Sequence, residues 1–112
     1  MKKLEIIVKA EKLDMLKEIL DRNGIHGMNF VTVMGYGNQN GVIKSYTGNE
    51  YKIGFIPKLK VETIVADESV KKIVDNIVDE LSTGQWGDGK IAVYPVEDYI
   101  RIRTGERGND AL

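Results

Sequence analysis

The sequence predicts an α+β domain with the order βαββαβ, the ferredoxin-like arrangement. Apolar residues alternate with polar ones in four short segments, as in strands that bury one face. In two further segments the apolar residues recur three and four positions apart, which is typical of helices with one buried face. A chain of 112 residues has the length of one such domain, so we expect a single domain over residues 1–112.

The first half of the chain predicts a strand, a helix and a second strand. Residues 3–9 alternate between apolar and polar types. Residues 12–22 carry leucine and isoleucine at helical spacing, and Asn23-Gly24 supplies a C-terminal stop. Residues 28–34 are rich in β-branched and aromatic types, which favour a strand.

The second half predicts a strand over 58–66, a helix after it and a last strand over 90–96. Six apolar residues from Val70 onward recur at i, i+3, i+4, i+7, i+8 and i+11, so this helix is the clearest element of the sequence. Asp67 is expected to cap its N-terminus. Pro95 lacks a backbone donor and therefore marks a strand end or an edge strand.

Two helices can cover only one face of the four-stranded sheet. The other face is expected to carry apolar side chains mixed with polar groups, namely Ile7, Val31, Val33 and Ile64. An apolar second face usually meets a partner, so we expect a homo-oligomer whose sheets face inward. The alternative is a different strand register, in which these four residues belong to the core.

The connection between the second and third predicted strands is unusually long. Antiparallel hairpins normally close with 2–5 residues, whereas this connection covers residues 36–54. Loops of this length in compact domains are usually functional or disordered. Its apolar content is high for a linker, which favours insertion into a partner protein.

Composition excludes several classes of function. The 16 Lys and Arg against 17 Asp and Glu give a net charge of −1, unlike the strongly basic domains that bind nucleic acid. With no Cys and one His, the chain has no disulfide, no thiolate chemistry and no Cys- or His-rich metal site. The N-terminal apolar run is too short for a signal peptide or a membrane span, so we expect a cytoplasmic protein.

The segment Gly84-Gln-Trp-Gly-Asp-Gly-Lys90 has the glycine and lysine spacing of a phosphate-binding P-loop. A P-loop needs Ser or Thr next to hold magnesium, but Ile91 follows here, and the segment leads from a helix into a strand. The chain is therefore not a P-loop nucleoside triphosphatase. Glycine amides and a lysine can still cradle phosphates; the alternative is a plain glycine-rich connection.

Arg101 and Arg103 form a second candidate cluster. Alternation in an extended segment would place both guanidinium groups on one side, as a fork for phosphate or carboxylate. The alternative is a solvated strand with surface ion pairs. Lys58 and Lys60 flank the start of the third strand and could equally be surface charges.

Constellations for catalysis are absent from the sequence. The single His26 lies in an apparent turn, and Asp75, Asp79 and Glu80 fall on the polar face of the second helix. A small acyl- or phosphoryl-transfer enzyme would lack a general base. An RNA-recognition module would need aromatic residues on its central strands, and residues 58–65 contain none. The chemistry favours binding an anion without transforming it.

Five segments, in this order and spacing, resemble the nitrogen regulatory P-II signal-transduction proteins over essentially the full length. They are Gly35-Tyr-Gly-Asn-Gln39, Tyr46-Thr-Gly-Asn-Glu-Tyr51, Phe55-Ile-Pro-Lys-Leu-Lys-Val-Glu62, Thr83-Gly-Gln-Trp-Gly-Asp-Gly-Lys-Ile91 and Arg101-Ile-Arg-Thr-Gly-Glu106. The resemblance implies a regulatory homotrimer, not an enzyme, with ATP and ADP competing at clefts between subunits and 2-oxoglutarate binding beside MgATP. Residues 36–54 look like the family's T-loop, 82–90 its B-loop and 101–109 its C-loop.

The resemblance also assigns residues to the ligands. The nucleotide would be bound by Gly35, Gly37, Glu62, Ile64, Gly87, Asp88, Gly89 and Lys90, and by Arg101 and Arg103 of the neighbouring subunit. Glu62 and Ile64 would line the ribose and base region. Gln39 would ligate the magnesium of MgATP beside 2-oxoglutarate, and Lys58 would pair with the distal carboxylate of that acid.

The implied partners are an ammonium transporter, glutamine synthetase or its regulators, a transcription factor or a nitrogenase regulator. Membrane contact would occur only through a transporter partner. Tyr51 is a candidate for uridylylation or adenylylation.

The chain departs from common members at Asn29, Asn38, Asn49 and Ala92, and these differences bear on its partners more than on its ligand class. A divergent relative that senses another small anion or nucleotide is the alternative.

Overall fold

The computed structural model describes residues 1–36 and 55–112 in full, together with the backbone of Ile43–Tyr46 and Asn49–Lys52. The helices and strands are β1 (Lys2–Val8), α1 (Leu13–Arg22), β2 (Asn29–Tyr36), β3 (Ile43–Tyr46), β4 (Asn49–Lys52), β5 (Phe55–Val65), α2 (Val70–Leu81) and β6 (Lys90–Pro95). Four strands form one antiparallel sheet in the order β2-β5-β1-β6. The predicted ferredoxin-like α+β layout is confirmed.

The core lies between one face of this sheet and the two helices. Alternate residues of β1 and β5 meet the apolar stripes of the helices, and the buried cluster comprises Leu4, Ile6, Val8, Leu16, Ile19, Leu20, Leu59, Val61, Val65, Ile73, Ile77 and Leu81. Burying each such side chain contributes about 1.5–3 kcal/mol. The strand and helix periodicities of the sequence therefore both identified core residues.

Among the described residues, no helix covers the opposite face of the sheet. Ile7 of β1 lies opposite Lys60 of β5, and Val31 of β2 faces the same lysine from the other side. Ile64 pairs with Lys3 on this face. The predicted placement of the apolar residues on the second face is confirmed, and the alternative register is wrong.

The start of α2 differs from the prediction. Asp67 opens a short 3-10 turn, Asp67–Ser69, and Ser69 occupies the N-cap position of α2 with no capping side-chain hydrogen bond. The Asp67 carboxylate instead lies 2.9 Å from the amino group of Met1. The prediction of an Asp67 cap is wrong because the 3-10 turn places this residue before the α-helix.

The long connection contains regular structure that the sequence analysis did not predict. Ile43–Tyr46 pairs antiparallel with Asn49–Lys52, so β3 and β4 form a separate two-stranded sheet. β2 and β5 bracket this hairpin, and β2 pairs along its full length, Asn29–Tyr36, with residues 55–62 of β5. The hairpin therefore joins two adjacent strands of the main sheet at one end.

In the part of the chain that the structure describes, no helix is long and apolar enough to cross a membrane.

Candidate ligand-binding site

A cavity of about 550 Å³ lies where the connection between α2 and β6 passes over the open face of the sheet. Three strands contribute its floor, with Ile7 from β1, Lys58 from β5 and Lys90 from β6. The connection itself supplies Gly84 to Gly89, and the end of β2 supplies Gly35 and Tyr36. Ile7 pairs with Lys90 of β6, and both residues line the cavity.

Gly89 lets the connection lie directly on the sheet. Its φ is +108°, and a Cβ atom built there would lie 1.8 Å from the backbone oxygen of Ile7. No other residue fits this position without moving the backbone. Gly84 and Gly87 also have positive φ values, +78° and +94°. Turns of this kind can direct backbone amides at an anion, and the phosphate-binding role of the segment stays a prediction.

Lys58 connects the floor of the cavity to the glycine-rich segment. Its ammonium donates a hydrogen bond of 3.0 Å to the backbone oxygen of Gly87. Burial lowers the pKa of Lys58, the nearby charge of Lys9 lowers it further, and Asp88 opposes the shift. One hydrogen bond to Gly87 leaves two further N–H donors on the ammonium, so Lys58 can hold the loop and bind an anion.

The Asp88 carboxylate is engaged within the same loop. One oxygen accepts hydrogen bonds from the backbone amides of Thr83, at 2.8 Å, and Gly84, at 3.1 Å. The other accepts from the Thr83 hydroxyl at 2.5 Å. These bonds, chiefly the one from the Thr83 hydroxyl, hold the pKa of Asp88 below its usual value. Asp88 thus lies at the expected nucleotide site, with its carboxylate bonded to protein groups.

The predicted ligand residues are divided between two cavities of one chain. Gly35, Lys58, Gly87, Asp88, Gly89 and Lys90 line the first cavity. Glu62 and Ile64 line another, of about 600 Å³, which Asn29 and Tyr99 also border. Lys58 and Glu62 lie on the same face of β5 four residues apart, which is about 13 Å along a strand. Within one chain, the residues that line the first cavity and those that line the second therefore do not come together.

The second cavity has its own charge pattern. The Glu62 carboxylate lies 3.7 Å from the Lys60 ammonium and 4.0 Å from that of Lys3. Lys3 also lies over the ring of Tyr94, 4.6 Å from its centre. These ion pairs are partly exposed and therefore contribute little stability. The Glu62 carboxylate can still accept a hydrogen bond at the cavity wall.

Arg101 and Arg103 do not lie on an extended segment as predicted, because residues 102–104 form a turn. The turn is closed by hydrogen bonds from the Gly105 amide to the Arg101 oxygen, 2.7 Å, and from the Arg101 amide to the Glu106 oxygen, 2.9 Å. The Arg101 guanidinium bonds the Glu106 carboxylate at 3.1 Å and the Leu112 oxygen at 3.2 Å. The alternation of side chains along a strand therefore does not determine how Arg101 and Arg103 are oriented relative to each other.

Three predicted site residues lie outside what the structure describes. Gly37 and Gln39 belong to undescribed stretches of the connection. Tyr51 lies on β4, where only the backbone is described. Their assignments rest on the sequence.

Several residues at the first cavity were not predicted as site residues. Ile7 forms part of the floor, Tyr36 and Ile56 lie at the wall, and Gln85 and Trp86 belong to the glycine-rich segment. For Ile7, the alternation of β1 was a usable signal, since it places this side chain on the open face. Gly35 lines the cavity, but a Cβ there would make only an ordinary 3.6 Å contact with the Ile56 oxygen, so packing within the chain does not require glycine.

Comparison with known proteins identifies the family of the chain. The family model described as nitrogen regulatory protein P-II matches residues 1–106. Proteins named "Nitrogen regulatory protein P-II" from Pasteurella multocida, Nostoc punctiforme and Rhodospirillum rubrum are 48%, 47% and 46% identical to this chain over 112 residues, which is the full length of both sequences in each pair. The relatives are named as regulatory proteins and not as enzymes. The chain belongs to the nitrogen regulatory P-II protein family.

Proposed function

We propose that the protein is a homotrimeric sensor that binds ATP or ADP competitively, binds 2-oxoglutarate together with MgATP, and regulates target proteins through residues 36–54. The observation that carries this proposal is the cavity between the glycine-rich segment and the sheet, with Lys58 and Lys90 at its floor. The proposal includes a cytoplasmic location, as for the nitrogen-regulatory role of the family.

The phosphate groups would lie against the glycine-rich segment. Gly87 and Gly89 have positive φ values and line the cavity, and Lys90 follows directly as the first residue of β6. A cation and backbone donors in one cavity fit a polyphosphate, which carries charge along its whole length. The cavity volume of about 550 Å³ lies within the range of small-molecule sites.

The site would be completed by a neighbouring subunit. One chain presents Lys58 and Lys90 in one cavity and Glu62 and Ile64 in the other, both on the open face. Copies arranged in a ring place two different surfaces against each other at every contact. In a trimer the first cavity of one subunit would thus meet Glu62, Ile64, Arg101 and Arg103 of the next, giving three equivalent clefts.

The magnesium and the 2-oxo acid would be held at the base of the connection. Magnesium bound to phosphates keeps few protein ligands and prefers oxygen. In the two fully described stretches, no three Asp, Glu or His side chains are grouped to hold a metal, which fits an ion bound mainly by the nucleotide with the Gln39 amide oxygen. Lys58 would pair with the distal carboxylate of 2-oxoglutarate.

Ligand binding would select among conformations of residues 36–54. This segment leaves β2 after Tyr36, which lines the cavity, and returns at Phe55, the residue paired with Tyr36. A ligand that contacts the segment more favourably in one conformation shifts the population toward that conformation. With ADP the segment would be free to enter a partner such as an ammonium transporter, glutamine synthetase or its regulators, or a transcription factor. Tyr51, on β4, is the candidate modification site.

Calorimetric titration of ATP against Lys90→Gln tests the phosphate assignment. We expect the dissociation constant to rise about 10- to 100-fold, because a charged hydrogen bond contributes about 1.5–3 kcal/mol. Lys72→Gln removes the same charge from the exposed side of α2 and should leave the affinity unchanged. Equal affinity of Lys90→Gln and the wild type would contradict the proposed phosphate site.

Mixed trimers test whether two subunits build each cleft. Lys90→Gln and Arg103→Gln should each weaken ATP binding when prepared alone. After refolding an equal mixture of the two variants, about a quarter of the clefts in a ring should combine two intact surfaces and bind ATP tightly. If no tightly binding sites reappear, the surface with Lys90 and the surface with Arg103 are not brought together from neighbouring subunits.

A further inference from the structure

Asp88 is a carboxylate beside a cavity suited to an anion, and its negative charge would oppose binding of that anion. Electrostatics alone therefore disfavours an acidic residue between Gly87 and Gly89. Its hydrogen bonds give a different reason for its presence. All three are accepted from groups at the beginning of the same loop, namely the Thr83 amide, the Thr83 hydroxyl and the Gly84 amide.

These bonds close the loop into a ring of six residues, from Thr83 to Asp88. The Thr83 hydroxyl also accepts a hydrogen bond of 3.2 Å from the amide of Gln85, so the first half of the ring is held from within. On the other side, the Lys58 ammonium donates to the Gly87 oxygen. Trp86 lies at the outer part of this ring, and 67% of its surface is exposed.

The ring is held at both of its ends, whereas its flanking glycines are intrinsically free to change conformation. An unrestrained loop would have to lose this freedom when a ligand binds, and that loss would weaken binding. Restraint in the ligand-free protein removes part of this cost in advance.

We propose that Asp88 is a positioning residue, which sets the glycine-rich loop for an anion through its hydrogen bonds to Thr83 and Gly84 and makes no contact with the ligand through its carboxylate. The proposal rests on the proposed nucleotide site. It differs from a direct role because loss of the hydrogen bonds would weaken ligand binding, whereas loss of the negative charge alone would not.

Replacing Asp88 with asparagine distinguishes the positioning role from a direct role of the carboxylate on the ligand. In Asp88→Asn, the amide oxygen can accept from the two backbone amides and the NH2 group can donate to the Thr83 hydroxyl oxygen, so the ring can stay closed. In Asp88→Ala, all three hydrogen bonds are lost. Thr83→Val removes only the hydroxyl bonds, and Thr83→Ser keeps them.

The readouts are the fluorescence anisotropy of Trp86, the only tryptophan of the chain, and the ATP dissociation constant by calorimetry. We expect Asp88→Ala to lower the anisotropy of the ligand-free protein and to raise the dissociation constant about tenfold. Thr83→Val should have smaller effects in the same direction, and Thr83→Ser should stay within about twofold of wild type. Asp88→Asn should bind ATP as tightly as the wild type or more tightly, because it keeps the hydrogen bonds and removes a negative charge. Circular dichroism and the oligomeric mass serve as checks on folding.

Two results would overturn the proposal. If Asp88→Asn weakens ATP binding as much as Asp88→Ala, the charge itself acts on the ligand or its metal. If Asp88→Ala leaves the ligand-free anisotropy unchanged, the carboxylate does not hold the loop. A wild-type protein that fails to bind ATP would instead refute the proposed nucleotide site, and the anisotropy would still decide whether Asp88 restrains the loop.

Discussion

At the scale of single residues, the site depends on where the backbone of the glycine-rich segment can lie. Gly89 contacts the backbone of Ile7, and this contact places the segment over the end of β1. The sequence predicted that glycines here allow close approach to a ligand. It could not show that Gly89 is also required by the strand beneath, because that contact joins residues 82 positions apart in the chain.

A glycine-to-alanine series tests this requirement. Gly89→Ala should lower the free energy of unfolding by about 3 kcal/mol or more, since a clash with backbone adds to the cost of positive φ. Gly84→Ala, with φ of +78° and open space around its Cβ, should cost about 1–2 kcal/mol. Gly27→Ala, with open space and no positive φ, should be neutral or slightly stabilising.

Urea unfolding at one fixed protomer concentration measures the series, because the stability of an oligomer depends on concentration. If Gly89→Ala and Gly84→Ala have the same cost, the contact between Gly89 and β1 is not a tight one in solution.

At the scale of elements, periodicity predicted the helices and strands well. Of the six apolar residues that the helical period places on one face of α2, Ile73, Ile77 and Leu81 are buried, whereas Val78 is exposed. Segments whose conformation depends on particular hydrogen bonds, and not on a helical or strand period, were less predictable. Alternation suggested an extended segment at Arg101–Arg103, but a turn forms there because the Arg101 amide and guanidinium both bond Glu106.

The burial pattern of α2 gives a direct test of the core. Ile73 is fully buried, whereas Val78 on the same helix is 53% exposed. Ile73→Ala should lower the free energy of unfolding by about 2–5 kcal/mol, because it removes buried methyl groups and leaves a cavity. Val78→Ala is the matched control and should cost less than about 1 kcal/mol. Comparable losses in thermal or urea unfolding would show that α2 packs with a different face.

At the scale of the whole molecule, the sequence placed apolar and charged residues on the open face of the sheet, and the register confirms it. The division of the site residues between two cavities could not be predicted, because it depends on which residues of β5 lie near which end of the sheet. The same division is the structural reason to expect that one subunit needs another to complete its site.

Three aspartates couple the stability of the molecule to pH. The pKa of Asp67 is lowered by the Met1 amino group, that of Asp88 by Thr83, and that of Asp98 by the Tyr99 amide and then Arg107. A carboxyl whose pKa is lower in the folded state stabilises the fold above its unfolded value of 3.8. That stabilisation is lost as the pH falls through the folded value.

We therefore expect the free energy of unfolding to decrease as the pH is lowered below about 5, and the triple variant Asp67→Asn, Asp88→Asn, Asp98→Asn to show a flatter decrease. Asp79→Asn, on the exposed side of α2, is the control and should follow the wild type. Urea unfolding between about pH 3 and 7 measures the difference. Parallel curves for the triple variant and the wild type would contradict the role of these three groups.

The proposed function requires that 2-oxoglutarate binds this protein only together with MgATP. The most direct measurement is calorimetric titration of 2-oxoglutarate into the protein, once with saturating MgATP and once without nucleotide. The account predicts saturable binding in the first titration and none in the second, and by reciprocity 2-oxoglutarate should tighten MgATP by the same factor. No binding with MgATP present, or equal binding without it, would contradict the account.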